Sequence, residues 1–210
     1  MPFQNQVTPM GAIVVDPARG MFFGNRGGRI HDADQRLTKR RWASRAWICC
    51  VLEFKNRQRQ IMSPNSYTEL FFLDEVTALA AGHRPCFECR RHNALSFLNA
   101  YAEAVGLDRR PSAPEFDRLA HDHRLNGKAK RVTEMAADGL PDGTMIVWQQ
   151  AAWAVHGQKL LRWSFGGYTE CQFRPSEKAH QVITPYPMVE ALRLGYNPVF
   201  HPSADRFVRA

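Results

Sequence analysis

The chain has 210 residues, 44% of them hydrophobic and 23% charged, enough apolar side chain for one sizeable core or two small ones and too much for a disordered chain. No apolar run nears the roughly 20 residues that a bilayer crossing needs, and Met1 to Gln6 has neither the basic nor the apolar region of a secretory signal, so a membrane or secreted protein is not expected. Five cysteines, an odd number, argue against a disulfide framework and fit a reducing, cytoplasmic setting, where thiols serve as metal ligands, as reactive groups or as core residues.

In chain order, Ala12 to Val15 reads as a short strand. A loop with the glycine-rich turn Gly24-Asn25-Arg26-Gly27-Gly28 follows, without the spacing of a nucleotide-binding glycine motif. The net charge of +8 is concentrated nearby: residues 1–60 hold eleven Lys/Arg against four Asp/Glu, a local excess of +7. Its densest run is Arg36, Lys39, Arg40, Arg41 and Arg45, with Arg26 and Arg29 before it and Lys55, Arg57 and Arg59 after it. Such a run neutralises phosphates and releases counterions, and the interleaved Trp42 and Trp47 offer stacking surfaces. The same pattern also reads as a solvated basic face around two core tryptophans.

Trp47 to Phe54 is rich in strand formers. The turn Lys55-Asn56-Arg57 and the segment Gln58 to Met62 make a hairpin the natural expectation, with Tyr67 to Leu73 as a third strand. Asp74 is placed to N-cap a short helix from Glu75 to Ala81, which Gly82 ends. Leu95, Leu98, Tyr101, Ala102 and Val105 share one helical face in Arg90 to Val105, and Glu115 to Leu125 forms a further helix after Pro111-Ser112-Ala113-Pro114. Beyond the basic turn Asn126 to Arg131, strands are expected at Thr144 to Trp148, Ala152 to Val155 and Leu160 to Trp163. A hairpin turn at His156-Gly157-Gln158-Lys159 and a helix from Pro187 to Leu194, closed by Gly195, complete the pattern.

This pattern predicts an α+β protein of β-hairpins and short helices in two halves, with a cysteine-based zinc site in the N-terminal half. Residues 1–110 make the basic, cysteine-containing region, 111–139 the connection and 140–210 a small α+β region. The helix, glycine and proline order of residues 76–87 recurs at 189–200, as two helices ended by the same glycine device would show.

Four of the cysteines fall in two clusters, Cys49-Cys50 and Cys86-Phe87-Glu88-Cys89. A Cys-x-x-Cys turn presents two thiolates at a spacing that suits tetrahedral zinc, and Arg84, Arg90 and Arg91 beside it favour the anionic sulfurs. Cys49 and Cys50 are adjacent on a strand, where successive side chains face opposite ways, so normally one of them reaches the metal. His31, His83 and His92 are candidates for the fourth place. Two buried cysteines at a helix end, or a redox pair, are the competing readings of the turn.

The segment Leu70-Phe71-Phe72-Leu73-Asp74-Glu75 through Ala81-Gly82-His83-Arg84-Pro85-Cys86-Phe87-Glu88-Cys89-Arg90 resembles the second half of the Ada-type metal-binding domain of bacterial DNA-repair proteins. That domain reads there as an aromatic strand end, a short Ala-rich helix, then Gly-aromatic-Arg-Pro-Cys-x-x-Cys. The resemblance covers residues 70–90 and implies zinc on Cys86 and Cys89 and DNA as the partner. The family's two further cysteines, one of which accepts a methyl group, lie a few residues apart, whereas Cys49 and Cys50 are adjacent, so methyl transfer does not carry over.

The function expected is therefore zinc and nucleic-acid binding, through Cys86, Cys89, Cys49 and Cys50 for the metal and Lys39, Arg40, Arg41, Trp42, Arg45, Arg84, Arg90 and Arg91 for the nucleic acid. One alternative is a metal-dependent nuclease built on His121-Asp122-His123, although residues two apart on a helix do not face one another. A protein-interaction module is the other.

Overall fold

The computed structural model describes residues 2–57, 60–136, 139–175 and 179–208. Its first half forms a mixed sheet from β1 (Gln4–Val7), β2 (Ile13–Val15), β3 (Phe22–Arg26), β4 (Trp47–Val51) and β5 (Leu70–Phe72), joined after helix α1 (Glu75–Ala80) by the two-residue β6 (Arg84–Pro85). The strand order is β2-β1-β5-β3-β4-β6. The β1/β5 and β4/β6 pairs are parallel and the others antiparallel. Pro85 has no N–H to give a ladder, and it sits on the edge strand, where none is needed.

Two longer helices follow, α2 (Arg91–Ala104) and α3 (Ala113–Arg124), then a small hairpin of β7 (Leu125–Asn126) and β8 (Ala129–Lys130). Ser112 and Glu115 close a capping box at the start of α3, with Pro114 in the first turn, so this helix begins where the sequence shows a proline-rich break. A second, antiparallel sheet takes β9 (Thr133–Ala136), β10 (Met145–Trp148), β11 (Ala151–His156), β12 (Lys159–Ser164), β13 (Gly167–Phe173) and β14 (Ala179–Val182) in the order β13-β12-β11-β10-β14-β9. Helix α4 (Tyr186–Arg193), a 3-10 turn at Pro202–Ala204 and α5 (Asp205–Val208) end the described chain. Among the described residues no helix is long and apolar enough to cross a membrane.

Helix α1 is the hub. All six of its residues are buried. Ala78 packs on Leu70, Phe72 and Cys49 of the first sheet. Leu79 packs on the helical layer with Phe97 and Met188, and Val76 and Ala80 on Met145, Leu161 and Tyr168 of the second sheet. A helix enclosed on every side carries no polar stripe, and its two alanines and threonine let neighbours approach closely. Residues from both ends of the chain therefore share one set of cores around it.

Its first turn is fixed by acids. The Asp74 carboxylate accepts from the Thr77 N–H (2.8 Å), the Thr77 hydroxyl (2.7 Å), the Tyr168 hydroxyl (2.7 Å) and the His201 N–H (3.0 Å). Burial raises the Asp74 pKa against these bonds. Glu75 accepts from the Tyr196 hydroxyl (2.5 Å) and the Val199 N–H (3.0 Å) and pairs with Arg90 (2.7 Å).

Gly82 and Gly195 take the same left-handed conformation after α1 and α4, with φ of +91° and +88°. In each case the following residue donates to a carbonyl five back, His83 to Ala78 and Tyr196 to Ala191. The sequence echo is thus a shared helix-ending device.

Two expectations change. Residues 22–26 are a fully buried strand where a glycine-rich loop was expected. β4 pairs with β3 and β6 instead of with the segment after it, whose residues 58 and 59 lie outside the described ones and whose Ile61 and Met62 form a turn. Strand pairing here is decided by contacts remote in sequence, which local pattern does not reveal.

Candidate metal centre

The pairing of β4 with β6 assembles the cysteines. Cys49 lies opposite Pro85, and the Cys86 N–H donates to the Cys49 carbonyl (2.9 Å), so the next residues in register are Cys50 and Cys86. The turn Cys86-Phe87-Glu88-Cys89, closed by the Arg90 N–H on the Cys86 carbonyl (3.0 Å), brings the third sulfur. The sulfurs of Cys50, Cys86 and Cys89 all lie within 4.8 Å of one another. Three sulfurs around tetrahedral zinc at ~2.3 Å stand about 3.8 Å apart, so the cluster has close to the span the ion needs. On the neighbouring strand, Gly24 faces Cys49, where a Cβ would come within 1.9 Å of the Ile48 carbonyl oxygen; β3 needs glycine to lie this close to β4.

The thiols act on one another. Cys50 is pushed far up, by donating to Cys86 and to Cys89 and by burial. Cys86 is held well below the ordinary thiol value by hydrogen bonds from Cys50 and Cys89, helped by the backbone N–H groups of Cys89 and Glu88, against burial. Cys89 is pulled down by Cys50 and pushed up by Cys86 and by burial, and ends above its ordinary value. Three neighbouring thiols thus share their first ionisation, which the group as a whole favours at Cys86 over Cys50 and Cys89, and a bound metal ion would favour the anionic form of all three. The Glu88 N–H donates to the Cys86 sulfur (3.4 Å), the kind of backbone bond that orients a thiolate and stabilises its charge.

A cavity of about 470 Å³ opens beside the cluster, lined by all three cysteines and by Phe23, Ile48, Tyr67 and Phe71 among others. Three carboxylates also line it: Glu53, Glu69 and Glu88. Glu88 pairs with Arg57 (2.7 Å), and Glu69 accepts from the Met62 N–H (2.7 Å). Among the described residues no fourth cysteine, histidine or carboxylate joins the group.

Several residues named from the sequence lie elsewhere. Cys49 faces away from the cluster: it is fully buried in the core with Leu70, Phe72 and Ala78, and its sulfur accepts from Arg90 (3.5 Å). Burial raises its pKa, with Arg90 opposing. Two of the candidate histidines are committed to other partners. His31 contacts the Thr68 hydroxyl (2.6 Å) and the Ser63 carbonyl (3.1 Å), and His83 accepts from Arg26 (3.3 Å) between Trp47 and Phe72. His92 is exposed on the first turn of α2.

The cationic residues divide as well. Lys39, Arg40, Arg41, Arg45 and Arg91 are exposed, and Trp42 is half-buried against Trp47 and His121. Arg84 and Arg90 are corrections to the expected contact surface. Arg84 is buried in a two-bond pair with Asp117 (2.9 and 2.8 Å), and Arg90 is buried against Glu75, so neither meets solvent. His121 packs on Trp42 and Trp47 while His123 packs on Tyr186, so the two are not brought to one site.

Sequence reasoning missed Phe23, which packs on Cys50 and Cys86 from β3, and the meeting of the buried Arg26 and Arg124 with the half-buried Lys130 near Trp47. The only prior signal for these was Arg26 itself, a cation inside an aromatic stretch. Set against protein-family models, curated proteins and solved structures, the chain has no match.

Proposed function

We propose that the protein binds one zinc ion through Cys50, Cys86 and Cys89 and that it binds nucleic acid through the exposed basic loop after β3. The observation that carries the reading is the convergence of three sulfurs from a strand and a turn within 4.8 Å, backed by N–H donors. The Ada-type resemblance of residues 70–90 agrees with it in kind, since it too implies Cys86 and Cys89 as ligands and DNA as the partner. The fourth metal position is met from the adjoining cavity, by solvent or by a bound group, and no methyl transfer is proposed. Five free cysteines suit a reducing, cytoplasmic compartment, where such a site keeps its thiols.

The nucleic-acid part is supported by Lys39, Arg40, Arg41 and Arg45, all exposed, around the half-buried Trp42. Each phosphate contact contributes about 0.9 to the slope of log K against log salt on duplex DNA. Changing Lys39, Arg40 and Arg41 together to alanine is therefore expected to weaken binding at every sequence and to lower that slope by up to about 3. Fluorescence anisotropy with single- and double-stranded DNA and RNA across a salt series reads both. Unchanged affinity and slope in the triple variant would remove this loop as the contact surface. Metal-dependent cleavage of the same probes, lost in His121→Ala, would favour the nuclease alternative.

A further inference from the structure

On the face of β4 away from the thiols, three cations from distant parts of the chain line one cavity of about 300 Å³: Arg26 of β3, Arg124 at the end of α3 and Lys130 of β8. Arg26 and Arg124 are 3% and 0% exposed. Their guanidinium carbons sit 4.1 and 4.5 Å from the centre of the Trp47 ring, so one indole answers two charges. Among the described residues no carboxylate pairs with any of the three cations. The acids that act on Arg124 are Asp117, already held by Arg84, and Asp122, which is exposed.

Neutral acceptors meet the cations in part. Arg26 donates to His83, to the Arg41 carbonyl and to the Gly11 carbonyl. Arg124 donates through Nη1 to the Arg45 carbonyl (3.0 Å), and Lys130 to the Ala80 carbonyl at the end of α1. Arg124 Nε and Nη2 and His83 Nδ1 are buried with no partner. Nε and Nη2 form the side-on edge with which a guanidinium grips a planar or tetrahedral oxyanion through two parallel bonds. Burial and mutual repulsion lower the pKa values of Arg26 and Lys130, and burial lowers that of Arg124. Arginine nevertheless keeps its proton in proteins, so the charge is not relieved by titration. Buried charge without a counter-charge is costly, and an anion in the adjoining cavity removes that cost.

We propose that Arg26, Arg124 and Lys130 form a pocket for a phosphate-class oxyanion, with Lys128 and Arg41 at its wall. Three cations favour a dianion such as inorganic phosphate or a phosphomonoester over a carboxylate. The pocket stands independently of the nucleic-acid reading, because its occupant is a free phosphate or the terminal phosphate of a longer molecule.

The test is thermal unfolding of the full chain in inorganic phosphate against chloride at equal ionic strength. A bound anion raises Tm by about 2–4 °C once its concentration is a few times Kd. That response is expected to disappear in Arg124→Met and to shrink in Lys128→Glu, an exposed wall position that keeps the interior intact if the first variant folds poorly. No phosphate response in the unaltered protein up to about 10 mM, a weak-binding limit, overturns the proposal, and so does an equal response in both variants. A 5′-phosphorylated oligonucleotide binding about tenfold tighter than its 5′-hydroxyl form assigns the source to a nucleic-acid end; equal binding assigns it to free phosphate.

Discussion

Cys49 and Cys50 differ by one step along a strand, and that step decides which of them joins the thiol cluster. Replacing Cys50 with alanine takes away one of three sulfurs that lie within 4.8 Å. Structural zinc contributes about 10–16 kcal/mol in four-ligand sites, so one ligand's share is about 2.5–4 kcal/mol, or two to three orders of magnitude in affinity. Cys49→Ala instead removes one buried atom from the core and its contact with Arg90, which costs about 1 kcal/mol of stability and nothing in metal binding. Both variants are expressed with zinc, dialysed against a graded chelator series and assayed for bound metal by mass spectrometry. Urea unfolding gives the stability side of the comparison. Cys50→Ala keeping zinc as the unaltered protein does, or Cys49→Ala losing as much, would refute the strand alternation on which the site rests.

Glu75→Ala is expected to cost about 3–5 kcal/mol, because it leaves Arg90 as a buried charge without its partner and frees the Tyr196 hydroxyl and the Val199 N–H as well. A change below about 1 kcal/mol in urea unfolding would contradict that role for the pair. His83, fully buried beside Arg26 and Arg124, has its pKa pushed well below 6.5, first by burial and then by those cations. Its folded pKa is thus the lower one: above about 6.5 both states are neutral, and below it the unfolded chain takes the proton first. Stability should then fall by up to about 1.4 kcal/mol per pH unit as pH drops from 6.5, and His83→Gln should flatten that fall. Parallel stability curves for the two proteins would exclude His83 as the source.

Helix positions were legible because their signals are local. Asp74 caps α1 through the Thr77 N–H, and Gly82 and Gly195 end α1 and α4 with positive φ, each at or within one residue of its expected place. The β11–β12 hairpin was legible for the same reason, with Gly157 in its turn. β3 was not, because Phe22 to Arg26 becomes a strand only when β4 and β5 flank it, and its Gly24 and Arg26 argue locally for a loop. Period-two alternation says that one of Cys49 and Cys50 faces the turn. Which one it is depends on the parallel pairing with Arg84–Pro85, 36 residues on from Ile48 and Cys49. Arg84 and Arg90 misled for a related reason. Arginines flanking a Cys-x-x-Cys look like a basic surface until their acids, Asp117 and Glu75, are brought in from other helices.

The two candidate sites occupy opposite ends and opposite faces of one antiparallel strand pair. At one end Phe23 lies across from Cys50, which joins the thiol cluster; at the other Arg26 lies across from Trp47, which takes the second guanidinium from Arg124. Three residue steps, about 10 Å of strand, separate them. A metal ion on Cys50, Cys86 and Cys89 would tie β4 to the turn after β6, across a parallel pairing only two residues long. With the strand held there, Trp47 would keep its position against the two buried arginines and beside Trp42. A metal bound at the sulfurs, with no phosphate contact of its own, would thereby support a cationic face through the rigidity of a shared strand, a structural use that needs no reaction at the metal.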